Sequence, residues 1–284
     1  MTVARRHPEW IKVKAPHGEA FFDTKRLVQD LRLHTVCEEA HCPNVGECWG
    51  HKTATFMLLG DVCTRNCAFC AIAHGRPTAV DPDEPLRVAE GVVRLGLRHV
   101  VVTSVDRDDL PDGGAGHFAR TAAAIKARVP DCRVEVLVPD FKGDAAAVDT
   151  VVDAPVDIFN HNTETVPRLY KHVRPGAQYA RSLEVLARAK QRRPTLLTKT
   201  GLMLGVGEAH DEVLAVFDDL AAVGCNILTL GQYLRPSAAQ LPVERYLPPE
   251  EFATLRAEAL RCGFRHVESG PLVRSSYHAW QHVA

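Results

Sequence analysis

Six of the chain's nine cysteines fall between residues 37 and 70, in two groups of three. The second group lies in Asp61-Val62-Cys63-Thr64-Arg65-Asn66-Cys67-Ala68-Phe69-Cys70, with the spacing C-x3-C-x2-C. Three thiolates can hold three irons of a 4Fe–4S cluster and leave the fourth open to chelate a substrate, whereas a four-thiolate cluster only passes electrons. A structural zinc ion is the alternative; it wants four protein ligands, and His74 would have to be the fourth. The first group, Cys37, Cys42 and Cys48, has the spacing C-x4-C-x5-C, with Pro43 and Gly46 bending the loop so that its thiols can converge. Zinc completed by His41, or thiols that merely pack, are the other readings of that spacing. Two incomplete triplets only 14 residues apart favour a pair of clusters over coincidence. Cys132, Cys225 and Cys262 lie apart and read as small buried hydrophobes. An odd count and such crowding do not suit a secreted disulfide scaffold.

These thiols need a frame. From residue 53 short apolar runs rich in β-branched residues alternate with helix-length amphipathic segments, the signature of βα units on a parallel sheet. Six strands are predicted: Ala54–Leu59, His99–Ser104, Arg133–Val138, Asp157–Asn160, Leu196–Leu204 and Asn226–Leu230. Between them, Leu86, Ala89, Val93 and Leu97 line one helix face, with Pro85 in its opening turn. Val213, Val216, Phe217, Leu220 and Val223 line another, closed by Gly224 at C′. Ser182 to Lys190 is a third helix whose basic residues come late, as the helix dipole favours. Six βα units make an α/β fold of the partial (β/α)6 TIM-like kind; eight would close the barrel. Residues 1–52 read as an N-terminal extension carrying the first triplet, pinned by something other than a large core. Residues 53–262 read as the barrel and 263–284 as a C-terminal tail. Parallel strands place their C-terminal ends on one rim, and the second triplet directly follows the first strand there.

Composition narrows the function. A net charge of −1 and a pI near 6.9 give no pull toward nucleic acid or membrane. Arg5 and Arg6 are followed by no apolar h-region, and no stretch approaches the ~18 apolar residues of a membrane span. A cytoplasmic monomer is expected. The 14 histidines form no H-E-x-x-H pattern. Polar segments end the predicted strands: Thr103 to Leu110 with its Asp106-Arg107-Asp108-Asp109 run, Asn160 to Thr165, Lys199 to Glu208, and Gly231 to Pro236. Taken alone they could be solvated ion pairs, helix caps or plain turns.

The C-x3-C-x2-C loop, down to Phe69 before its last cysteine, resembles the signature of radical S-adenosylmethionine (SAM) enzymes. With C-x4-C-x5-C upstream and Arg274-Ser275-Ser276-Tyr277-His278-Ala279 near the end, the pattern from about Pro8 to Ala279 resembles lipoyl synthases. That resemblance implies two 4Fe–4S clusters. One, on Cys63, Cys67 and Cys70, binds SAM through its open iron and cleaves it to a 5′-deoxyadenosyl radical. The auxiliary one, on Cys37, Cys42 and Cys48, takes Ser276 as its fourth ligand, with Ser275 the alternative, and gives up sulfide. It implies SAM-binding roles for Asp106, Arg107, Asp108, Asn160, Asn162, Arg174, Lys199, Gly205, Glu208 and Gln232, the Gly205–Glu208 stretch packing beside the adenine. The reaction implied is sulfur insertion at carbons 6 and 8 of a protein-bound octanoyl-lysine, with two SAM molecules consumed. Its partners would be octanoylated carrier domains (2-oxoacid dehydrogenase E2 subunits, glycine cleavage H protein), a reductant such as ferredoxin or flavodoxin, and a cluster-repair carrier. A sulfur-inserting enzyme for a small molecule or RNA, and a non-enzymatic metal module, remain the other readings.

Overall fold

A computed structural model describes residues 7–13 and 15–281, apart from the side chain of Trp280; Arg5 and Arg6 lie outside the described residues. The order of elements is α1 (Glu19–Asp30), β1 (His34–Thr35), α2 (Val36–Glu39), α3 (Val45–Gly50), β2 (Thr55–Leu58), β3 (Val62–Cys63), β4 (Ala73–His74), α4 (Glu84–Leu95), β5 (His99–Ser104) and α5 (Ala115–Arg128). Then come β6 (Arg133–Leu137), α6 (Ala145–Asp153), β7 (Ile158–Asn160), α7 (Tyr170–Val173), α8 (Tyr179–Arg192), β8 (Leu197–Leu204), α9 (His210–Ala222), β9 (Ile227–Gln232), α10 (Pro249–Arg261) and β10 (His266–Gly270).

All six predicted strands form, as β2, β5, β6, β7, β8 and β9, each followed by a helix, so the six βα units stand. The sheet runs β1-β2-β5-β6-β7-β8-β9-β10, and every pairing from β2 to β10 is parallel. Its two ends are not joined: this is an open barrel. Residues 263–284 differ from the expected tail, because His266–Gly270 adds a parallel strand in register with Ile227–Gly231. Its His-Val-Glu-Ser-Gly sequence holds one apolar residue, too few for a strand signal.

The N-terminal extension also differs. β1 pairs antiparallel with β2, and Phe21, Val28, Leu33, Cys37 and Trp49 join the main core beneath α4. Phe21 lies 5.4 Å from the Trp49 ring, and Thr24 donates to the Trp49 carbonyl. The barrel's own core thus pins the extension.

Helix α4 opens with Pro85 as expected but turns another face inward. Pro85, Val88, Ala89, Val92 and Leu95 are buried, while Leu86 is 63% and Val93 39% exposed. The rotation sets Gly91 down on Leu33 and Phe56, where a Cβ would stand 3.1 and 3.3 Å away. Helix α9 buries Val213, Val216, Phe217 and Leu220 as predicted. Gly224 (φ 76°) follows it, with Gly224 and Cys225 donating to the Ala221 and Leu220 carbonyls in a Schellman closure.

Strand alternation assigns the faces. Val134 and Val136 of β6 pack under the helices, so Glu135 points into the barrel. There Lys199 Nζ meets Glu135 Oε1 at 2.7 Å, Asn160 Nδ2 donates to the same oxygen at 3.0 Å, and His99 Nε2 lies 3.3 Å from Oε2. Lys199, Asn160 and Glu135 are fully buried. Burial alone would raise the Glu135 carboxyl, but Lys199 and His99 outweigh it and hold it at about 2. Among the described residues no helix is long and apolar enough to cross a membrane.

Removing one partner of a buried pair strands the other charge, so Lys199→Met should lower stability by ~3–5 kcal/mol in urea unfolding. Glu135→Gln on that background should restore much of the loss. Because the folded carboxyl lies below its ordinary value, its contribution is present above about pH 4.5 and is lost as pH falls toward 2. The wild-type urea midpoint should drop across that window more steeply than that of Lys199→Met.

Candidate functional site

All three thiols of the second triplet and two of the first, Cys37 and Cys42, border one cavity of about 510 Å³ at the C-terminal rim of the barrel. Cys63, Cys67 and Cys70 belong to a loop closed by the short parallel pair β3–β4 and by the Gly75 amide donating to the Cys63 carbonyl. Further bonds hold this loop down: Thr64 N–H to the Asp106 carbonyl, Ala68 N–H to the Val173 carbonyl, and Gln240 Nε2 to the Cys70 carbonyl. Arg65, between the first two cysteines, is clamped by Asp108 at 2.8 and 2.9 Å and by Asp140 at 2.7 Å, with Asp106 at 3.5 Å. Burial pushes Cys67 up to about 12 and Cys70 to about 11, and repulsion from the neighbouring thiols adds to both.

The other triplet is set by α2 and α3. The Thr35 hydroxyl caps α2, which carries Cys37, and His41 (φ 51°) turns the chain to Cys42. Cys48 lies on α3, its amide bonded to the Asn44 carbonyl. Cys37 and Cys42 border the main cavity; Cys48 borders an adjoining recess of about 230 Å³ with Glu47, Tyr277 and His278. Burial raises Cys37 and Cys48 to about 12, compounded by mutual repulsion, while buried Arg274 favours the Cys42 thiolate. Thiols massed in this way become thiolates only against positive charge, which iron would supply, so both donor sets fit clusters. Among the described residues no three His, Cys, Asp or Glu side chains are gathered to chelate a single ion; His41 and His74 are exposed, and His41 borders the main cavity.

The tail brings both serines to the cavity and separates their roles. Ser275 Oγ exchanges hydrogen bonds with the Asn162 side chain, at 2.7 Å to Nδ2 and 2.9 Å to Oδ1. Ser276 Oγ makes no hydrogen bond among the described residues. Two glycines admit the tail. A Cβ on Gly201 would stand 2.9 Å from Asn162 Oδ1 and 3.0 Å from Ser275 Oγ, and one on Gly231 would strike the Val273 carbonyl.

Of the ten residues expected to bind SAM, Asp106, Asn162, Arg174 and Gln232 border the cavity. Arg174 is nearly enclosed, donates to the Asn162 carbonyl at 2.8 Å, and leaves its Nε–H without an acceptor. Asp106 Oδ1 likewise lacks a hydrogen-bond donor, and burial raises this carboxyl despite Arg65. The Gln232 amide is spent on the Leu204, Tyr233 and Arg245 carbonyls and the Leu247 amide.

The other six lie away from the cavity lining. Arg107 turns to Asp109 and the Leu59 and Thr78 carbonyls, and Asp108 holds Arg65. Asn160 and Lys199 serve the buried Glu135. Glu208 accepts from the Gly205 and Val206 amides, and Gly205 (φ 93°) leaves room for the Arg245 carbonyl and Gln232. Sequence reasoning gave no role to Arg65, Glu164 or Arg274, which all border the cavity. Arg65, inside the cysteine motif, and Glu164, one residue past Asn162–Thr163, could have been found by their place in those motifs.

A family model described as the radical SAM superfamily matches residues 57–220. The structure of methylornithine synthase (PylB) superposes with a TM-score of 0.53 at 14% identity, covering 92% of this chain and 81% of that one. SuiB of Streptococcus suis gives 0.58 at 10% identity, covering 80% and 52%. Fold and cysteine loop together define a radical SAM enzyme. A second model, for the N-terminal domain of lipoyl synthase of the radical SAM family, matches residues 2–42. Curated lipoyl synthases from Roseiflexus sp. and Chloroflexus aggregans are each 58% identical over 98% of the chain, covering 92% and 91% of their own lengths. That of Nitrosococcus oceani is 57% identical over 100% of the chain and 88% of its own length. The chain belongs to the lipoyl synthase family.

Gly231→Ala should lift the tail off β9. The expected result is a folded protein that still cleaves SAM but has lost most thiolated product, read by mass spectrometry of both products.

Proposed function

We propose that this protein inserts two sulfur atoms, at carbons 6 and 8, into an octanoyl chain carried on a lysine of a lipoyl carrier domain. The observation that carries this reading is the single cavity on which Cys63, Cys67 and Cys70 converge with Cys37, Cys42 and Ser276. When bound, the two clusters would supply the electron that cleaves SAM, at Cys63, Cys67 and Cys70, and the sulfide, at Cys37, Cys42, Cys48 and Ser276.

The chain's own contribution is placement. The Nε–H of Arg174, which has no acceptor, and the Oδ1 of Asp106, which has no hydrogen-bond donor although Arg65 lies 3.5 Å away, offer an anion donor and a cation acceptor on the same cavity. That pair suits the carboxylate and ammonium of an amino acid, such as the methionyl end of SAM. Glu164, held by a hydrogen bond from Asn162, faces the same space and suits the hydroxyls of a ribose. Met57, Val105, Val138 and Leu202 form an apolar wall that would accept an alkyl chain and keep water from a radical. Reacting atoms from three sources are thereby brought within one enclosure, where near-attack geometry replaces diffusion. The open rim gives the carrier's lysyl arm its entry. A low-potential reductant such as ferredoxin or flavodoxin, and a carrier that rebuilds the spent cluster, complete the set of partners.

The test is anaerobic reconstitution with iron and sulfide, then incubation with SAM, dithionite and an octanoyl-lysyl peptide. Lipoylated peptide with about two 5′-deoxyadenosines per turnover is expected. Deoxyadenosine without sulfur in the peptide would point to another substrate, and no deoxyadenosine would overturn the reading. Ser276→Ala should still form deoxyadenosine while its thiolated product falls to a small fraction of wild type.

A further inference from the structure

Ser276 reaches the cavity on a segment with little packing of its own, residues 271–278, between the end of β10 and the last described turn. On the barrel side it is held by Ser275 and Asn162. On the side of the first cysteine triplet two residues hold it. Asn44 Nδ2 donates to the Leu272 carbonyl at 2.7 Å. Glu47 Oε1 accepts from the Tyr277 hydroxyl at 3.3 Å and lies 3.6 Å from His278 Nε2.

Three features make the Glu47 contact more than a chance surface pair. Tyr277 and His278 stack at 3.8 Å with their planes 24° apart, so the two rings meet the carboxylate as one unit. His278 sits at φ 51°, a left-handed backbone that is unfavourable for a non-glycine residue and needs an offsetting contact. And Glu47 directly precedes Cys48, where its charge works against a thiolate. An acid at that position is unhelpful to cluster binding unless it does something else.

We propose that Glu47 is a positioning residue that latches the Arg274–His278 tail to helix α3 and so holds Ser276 in place as the fourth ligand of the auxiliary cluster. The latch rests on the reading of Ser276 as that ligand. Glu47 and Cys48 move together on α3, so the latch fixes the tail to the same short element that carries one of the thiols. The chain thereby brings residue 276 to residue 48 by a side-chain contact rather than by the sheet.

The experiment removes the other cluster with Cys63→Ala, Cys67→Ala and Cys70→Ala, so that spectra report the auxiliary one alone. On this background wild-type Glu47, Glu47→Ala, Glu47→Gln and Ser276→Ala are reconstituted with iron-57. Mössbauer spectra report the oxygen-ligated iron, and absorbance reports iron loss to a chelator. Glu47→Ala is expected to lose the distinct iron site and to release iron about tenfold faster, as Ser276→Ala does. Glu47→Gln, which can still accept from Tyr277, should fall between Glu47→Ala and wild type. With Cys63, Cys67 and Cys70 restored, deoxyadenosine formation by Glu47→Ala would show that the barrel is folded. If Glu47→Ala and Glu47→Gln both match wild type while Ser276→Ala does not, the latch is wrong and the serine ligand stands. If Ser276→Ala itself matches wild type, the serine reading falls and the latch falls with it.

Discussion

Six thiols, five of them around one cavity and the sixth, Cys48, in a recess beside Tyr277, set the terms for the rest of the molecule. Desolvation makes each of them less acidic, and repulsion from neighbouring thiols adds to this at Cys37, Cys48, Cys67 and Cys70, so the arrangement is unfavourable until positive charge offsets it. The protein supplies only a little of that charge, from Arg274 beside Cys42, Arg65 beside Cys63 and Arg174 beside Cys67. The remainder is left to iron. The frame can therefore do no more than hold the sulfurs where a cluster finds them. Its hydrogen bonds are spent accordingly: Arg65 is clamped by three aspartates, the cysteine loop is tied to the β5 and α7 ends, and the tail is pinned on two sides.

Much of this was legible in the sequence because it is local. Cysteine spacing is a one-dimensional signal, and β-branched runs between amphipathic helices are another, so the triplets and six βα units could be read directly. β10 could not, since its single apolar residue, Val267, gives no periodicity; its place depends on the parallel partner β9. The inward face of α4 was misjudged for a related reason. Its orientation is decided by Gly91 lying against Leu33 and Phe56, contacts made across the fold.

The polar rim shows the same limit more sharply. Position at a strand end suggested ligand contacts for Asn160 and Lys199, but a strand offers two adjacent polar residues to different depths of the barrel. Lys199 and Asn160 stop at Glu135, while Asn162, two residues on, reaches the cavity. Glycines misled in another way. Gly205 was expected beside the adenine; in the fold it makes room for the Arg245 carbonyl and Gln232, and what approaches Gly201 and Gly231 is the chain's own tail.

The two ends of the unclosed sheet have a shared continuation. β1, at one margin, runs straight into α2 and Cys37; β10, at the other, runs into the tail and Ser276. A closed barrel would join such margins with a ladder of backbone hydrogen bonds. On the proposed assignment of Ser276, the donors of the auxiliary group spring from both sides of the seam, so that group would act as its fastener. A fastener can be dismantled and refitted while the cloth stays whole, and β5 and β7, whose ends lead to Asp106 and Asn162, lie away from the seam.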